Sequence, residues 1–186
     1  MANLYISSDN LVTLSDLTDA ETDAYVNDAT VVMSLFHKAT KTPNTAAAVD
    51  KGGGLVGIPI TAHGLLAGDY VRIEGSQNYN DEYAIVSATA DEIVITATYV
   101  AETFLGTEVI YVGVKNGTNL SLSYVAASNG IYQGVLPDTL QRIVEYSASQ
   151  TYGGKTETGY FYLFVEAVKS TTRLTKRISL KAIYDS

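Results

Sequence analysis

The chain has 186 residues, a formal charge of −8, 46% hydrophobic residues and no cysteine. Without cysteine it forms no disulfide, thiolate metal site or thiol nucleophile. Its acidity argues against sequence-general nucleic-acid binding, which needs a basic face to neutralise phosphates, and no uninterrupted apolar run reaches the roughly 18 residues of a membrane-spanning helix.

Residues 1–5, Met1-Ala2-Asn3-Leu4-Tyr5, lack the basic and apolar regions expected of a secretory signal. Residues 1–30 carry Asp9, Asp16, Asp19, Glu21, Asp23 and Asp28 and no Lys or Arg. Ser15 or Asp16 is a candidate cap for a short helical turn within Asp16 to Asp28. The set Asp16, Asp19, Glu21 and Asp23 offers hard oxygen ligands of the kind that bind Ca²⁺. It lacks the glycine and terminal glutamate of an EF-hand loop, so a solvated loop without metal or cofactor is expected. From Ala29 to Phe36 the chain reads as a strand, then turns polar through Lys38 to Asp50. Lys51-Gly52-Gly53-Gly54 follows and reads as a flexible joint that tolerates positive φ.

Beyond that joint the apolar pattern alternates with period two, in short runs that include Ile85, Ile93, Ile95, Val109, Tyr111 and Ile183. Turn signals at Gly75, Asn116-Gly117, Asn129-Gly130 and Gly153-Gly154 separate the runs, which predicts an antiparallel sandwich or barrel. The stretch 55–114 is self-contained and is closed by Lys115-Asn116-Gly117, after which Leu120 to Tyr124 resumes an alternating strand. We therefore expect an all-β chain: a discontinuous sandwich of residues 1–54 plus 115–186, interrupted by a small inserted domain at 55–114. Such an insert lies near the lower size limit for an independent core. Gly159 to Val168 is aromatic on both faces, which predicts a strand packed on both sides. The run Lys169 to Lys181 holds Lys169, Arg173, Lys176, Arg177 and Lys181 and no acid. This charge asymmetry either steers contact between copies or marks two solvated faces that meet within one subunit.

Residues for catalysis are scarce. His37 and His63 are the only histidines, too few for a histidine-based triad or zinc site, and no nucleotide-binding or zinc-protease motif is present. The neighbours in Asp81-Glu82 and Asp91-Glu92 point to opposite faces of a strand, so neither pair is a two-carboxylate site. No enzyme activity is expected. Fourteen tyrosines stand out, because tyrosine suits wet interfaces. Tyr79 and Tyr83 flank Asn80-Asp81-Glu82, and Tyr152 precedes Gly153-Gly154, which makes these three the candidate contacts for a protein partner or a glycan.

Two stretches resemble known families. Ile60-Thr61-Ala62-His63-Gly64-Leu65-Leu66-Ala67-Gly68-Asp69-Tyr70-Val71-Arg72-Ile73-Glu74-Gly75, followed by Tyr79-Asn80-Asp81-Glu82-Tyr83-Ala84-Ile85, resembles SH3-like barrel modules of tailed-bacteriophage structural proteins. The pattern often has Asn-Gly where this chain has Asp81-Glu82. Asn10 to Leu14 and Ala24 to Val31, together with Leu120 to Val125 and Asn129-Gly130-Ile131-Tyr132-Gln133-Gly134-Val135-Leu136-Pro137, are similar to the immunoglobulin-like domain of phage virion proteins. The resemblance implies an immunoglobulin-like sandwich with an inserted barrel, in a non-enzymatic virion protein assembled in the host bacterial cytoplasm. The partners it implies are other copies of the chain and neighbouring capsid, neck or tail proteins, with no membrane and no general nucleic-acid binding. A neck or tail adaptor or fibre-attachment component is the leading expectation. A capsid decoration protein and a carbohydrate-binding adhesion module are the alternatives.

Overall fold

The computed structural model describes residues 2–6, 8–19, 22–140, 151–152, 155–156 and 160–184, without the side chains of 2, 3, 6, 151, 152, 155, 156, 183 and 184. Its strands in chain order are β1 (Ala2–Ile6), β2 (Asn10–Leu14), β3 (Thr30–Lys41), β4 (Val49–Gly52), β5 (Leu55–Pro59), β6 (Tyr70–Glu74) and β7 (Glu82–Ala88). There follow β8 (Glu92–Thr96), β9 (Val109–Gly113), β10 (Leu120–Tyr124), β11 (Tyr132–Leu136), β12 (Thr151–Tyr152), β13 (Lys155–Thr156), β14 (Tyr160–Lys169) and β15 (Thr172–Tyr184). No described residue is helical. The protein is all-β.

Among the described residues of Asp16 to Asp28, where a short helical turn is expected, none is helical, although the Asp23 amide donates to Asp19 O at 2.9 Å in a single turn. Leu17 and Val26 are buried, and they draw the segment into an extended loop closed by a Thr18–Tyr25 bridge. The amide of Val26 donates to Leu17 O at 2.8 Å, while Asp16 and Asp23 adopt φ of 58° and 55°, which breaks any helical run. Glu21 lies outside the described residues.

Two compact units divide the chain: Met1–Phe36 with Val114–Ser186, and His37–Gly113. In the discontinuous unit, β14 and β15 form a long hairpin in register from Tyr160↔Lys181 to Lys169↔Thr172. Against the antiparallel expectation, β1 lies parallel to β15 from Ala2↔Leu180 to Ile6↔Tyr184. A second layer is β2 on β11, from Leu14↔Tyr132 to Asn10↔Leu136. The strand β10 joins the layers: Leu120–Leu122 pair with β3, and Ser123 and Tyr124 pair with β11. Between the layers, Met33, Leu35, Leu122, Tyr132, Phe161, Leu163 and Leu180 form one core, consistent with a β-sandwich.

The Asn129–Pro137 stretch explains itself here. Asn129 and Gly130 turn through φ of 53° and 74°, and a Cβ on Gly130 would lie 2.6 Å from Leu17 O. Tyr132 then points inward, where its hydroxyl donates to Val26 O at 3.0 Å and accepts from the Ala29 amide at 3.0 Å. A buried tyrosine needs such partners, and this one fastens the N-terminal arm to the hairpin.

The His37–Gly113 unit has the strand order β9-β6-β7-β8-β5-β4, with each neighbouring pair antiparallel. Val56, Ile58, Val71, Ile73, Ile85, Ile93, Ile95, Ile110 and Val112 meet in its core, the period-two faces read from the sequence. Arg72, between Glu74 at 2.9 Å and Glu82 at 3.1 Å, pins β6 to β7 where Asn-Gly would have made a turn. The boundary expected at Leu55 lies at His37 instead, because Gly52-Gly53-Gly54 is no joint. It is the tight turn of the β4–β5 hairpin, with φ of 75°, 61° and 76°. Backbone bonds tie the preceding segment down as well: Asn44 N to Pro59 O at 2.8 Å, Ala48 N to Glu102 O at 2.8 Å and Phe104 N to Ala46 O at 3.0 Å.

Two substitutions test these packing arguments. Ile73→Asp, which places a carboxyl without a partner in a fully buried site, should lower unfolding free energy by several kcal/mol, since even a neutral polar group left unbonded costs about 2–7 kcal/mol. Gly130→Ala should cost on the order of 1–3 kcal/mol, since the methyl meets backbone and the left-handed φ is strained. Urea titration measures both. Wild-type midpoints in either variant would refute the corresponding packing argument.

Candidate interaction surfaces

The structure redistributes the three candidate tyrosines. Tyr79 is a core residue at 1% exposure, with its ring 6.2 Å from that of Phe104. Its hydroxyl donates to Val100 O at 2.6 Å and accepts from Val100 N at 3.0 Å, so neither face nor tip meets a ligand. Tyr83 is half-buried, pairs with Val71 across β6 and β7, and packs on the edge of the same core. The side chain of Tyr152 lies outside those described. Tyr79 and Tyr83 therefore make no shared aromatic platform.

The loop that leads into Tyr79 is organised by a carboxylate not singled out from the sequence. Glu102, itself buried, accepts at Oε1 from Ser76 Oγ at 2.9 Å and Gln77 N at 2.8 Å, and at Oε2 from Asn78 N at 2.9 Å. Ser76 Oγ in turn accepts from Tyr79 N at 2.8 Å, and Asn80 Oδ1 accepts from Ser76 N at 2.9 Å. The amides of Ser76, Gln77, Asn78 and Tyr79 are thus each met by side-chain oxygen, as a buried polar loop requires. The available signal was an acid alternating with Phe104 in a strand-like run.

The other titratable groups of this unit are committed in the same way. His63 is buried, with Nδ1 accepting from the Leu65 amide at 2.9 Å. The remaining nitrogen, Nε2, therefore carries the proton and donates to Thr89 O at 2.6 Å. Glu108 accepts from Leu105 N at 2.8 Å and from Thr107 N at 3.1 Å. Burial pushes its pKa up, but the amides of Leu105, Glu108, Thr107 and Gly106 outweigh that and hold the carboxyl below its ordinary value. These groups shape loops.

In the discontinuous unit the charge asymmetry is partly answered at home. Lys169 Nζ lies 2.8 Å from Asp28 Oδ1, and that hydrogen bond lowers the pKa of Asp28 and raises that of Lys169. Arg173 Nε meets Glu166 Oε2 at 2.6 Å, and the Arg177 guanidinium sits 5.0 Å over the Tyr162 ring. In the acidic loop Asp19 accepts from the Thr22 amide at 3.0 Å as a turn cap. Among the described residues no three His, Asp or Glu side chains converge as metal ligands.

Apolar groups instead stand on the surface. On the outer face of β2 and β11, Leu11 (65% exposed) is paired directly with Val135 (45%). In the other unit Leu66 (63%) and Leu105 (66%) project from turns. A groove of about 370 Å³ runs beside β2, and a second depression of about 420 Å³ lies around Leu17, Val26, Lys169 and Leu174. Comparison with known proteins finds no match to this chain among family models, curated proteins or solved structures.

Glu108 gives a pH prediction. Its folded pKa is below the unfolded one, so its stabilisation is complete above the ordinary Glu value, about 4.3, and is lost as pH falls through the lower folded value. Between about pH 5 and pH 3 the urea midpoint should fall less steeply in Glu108→Gln than in wild type. Parallel profiles would remove Glu108 as a contributor.

Proposed function

We propose that this chain is a non-enzymatic structural component of a tailed-phage virion. In this reading it assembles with copies of itself and with neighbouring virion proteins, as a neck or tail adaptor or a fibre-attachment component. The observation that supports this best is the distribution of side chains. Groups able to do chemistry, such as His63, Glu102 and Glu108, are tied into loops, while Leu11, Val135, Leu66 and Leu105 stand in solvent. Exposed apolar pairs on a β face belong to docking surfaces more than to active sites. The resemblance to phage immunoglobulin-like and SH3-like modules supplies the virion context, and the acidic charge suits a surface near packaged DNA that does not bind it.

The same surfaces would serve a capsid decoration protein, and copy number separates the two. Quantitative mass spectrometry of purified particles should place the chain in the neck or tail fraction, in a small number fixed by the symmetry there. Hundreds of copies on heads would favour decoration, and absence from particles would overturn the virion reading.

A further inference from the structure

We propose that two copies of this chain join across a two-fold axis, with the open edge of β15 in each paired to the open edge of β2 in the other. The hairpin partner β14 lies along β15 from Thr172 to Lys181, whereas β1 covers the opposite edge only from Leu180 onward. Among the described residues no strand lies beside Thr172–Ser179 on that side, and none lies on the side of β2 away from β11. A groove of about 370 Å³ runs along the open edge of β2 and meets the uncovered span of β15 at Ile178. Its walls include the consecutive residues Asp9–Thr13. Side chains of a strand alternate between faces, so a groove touched by consecutive residues runs along the strand's edge. Leu4, Leu136, Leu163, Ile178 and Leu180 complete an apolar wall. An extended strand laid there makes main-chain hydrogen bonds to β2 and sets alternate side chains against that wall.

Charge selects the occupant. The β2 side is acidic, with Asp9 in the groove and Asp16 just beyond the strand. The uncovered half of β15 carries Arg173, Lys176 and Arg177 and no acid. Arg173 and Arg177 engage Glu166 and the Tyr162 ring on the outer face, whereas Lys176 shares the face of Ile178 and Leu180 and is exposed. Basic edge against acid-flanked edge is favourable, while β15 against β15 opposes like charges. Each copy offers one edge of each kind, so a two-fold rotation that sets β15 of each copy on β2 of the other occupies both edges and leaves neither free to propagate. The pairing deepens the self-association part of the reading above by naming the partner, and it does not depend on a virion.

The test uses the full chain, which has no native cysteine. Light scattering at micromolar concentration should give twice the 19.9 kDa chain mass, and Lys176→Glu should weaken the dimer at least tenfold while leaving the monomer's urea midpoint unchanged. Thr13→Cys protein, mixed separately with Thr172→Cys, Thr175→Cys and Ser179→Cys proteins, should form a mixed disulfide with at least one of the three faster than any forms with itself. A monomer at all concentrations, open-ended polymers, or crosslinks confined to β15 with β15 would each overturn the pairing. Failure here leaves the virion reading standing, since that is judged by presence in particles.

Discussion

The fold depends on a backbone clamp at the point where the chain leaves one unit and returns to it. Leu35 donates its amide to Gly117 O at 2.7 Å, and its own carbonyl accepts from Val114 N at 2.8 Å. Ser34 Oγ adds a bond from the Asn119 amide at 2.9 Å, and Leu120 to Leu122 continue the ladder onto β3. Gly117 sits close under its neighbours here: a Cβ would lie 3.3 Å from both Leu35 Cβ and Val114 O and would displace the Leu140 side chain. The two halves of the sandwich, separated by the whole His37–Gly113 unit, are thereby held in register. Chain entropy does not oppose this strongly, since each doubling of a closed loop costs only about 0.6 kcal/mol. The Tyr132 hydroxyl repeats the device farther along by joining residues 103 and 106 positions away.

A second regularity concerns carboxylates. Glu102 and Glu108 are both buried, and both answer backbone amides of turns rather than cations. A loop folded over a core must satisfy its donors from somewhere, and a carboxylate can accept several at once. The loops around Phe104 and Tyr79 are therefore internally complete, which makes them rigid supports for the turns that carry Leu105. At Glu108, whose carboxyl the turn amides hold below its ordinary value, this arrangement costs acid tolerance.

Much of this was legible in the sequence. Val71 and Ile73 share the buried face, as the period-two pattern required. The turn signal at Asn129-Gly130 takes positive φ as a turn does, whereas the burial of Tyr132 beside it was not read from the sequence. What was not legible depends on distant partners. Gly52-Gly53-Gly54 has the same left-handed freedom in a linker as in a hairpin, and bonds from Asn44 and Ala48 to residues far along the chain decide between them. Tyr79 and Tyr83 look alike in sequence, yet Phe104 and Val100 claim the first. The parallel seat of β1 on β15 joins opposite ends of the chain, and no local period encodes it.

Since Leu35 bonds both Val114 and Gly117, the two cut points of the interrupted unit sit about one strand spacing apart, near 4.8 Å. Those cut ends are held together by the interrupted unit's own backbone bonds, so a foreign segment grafted between them meets a seam already closed on itself, provided its own termini emerge side by side.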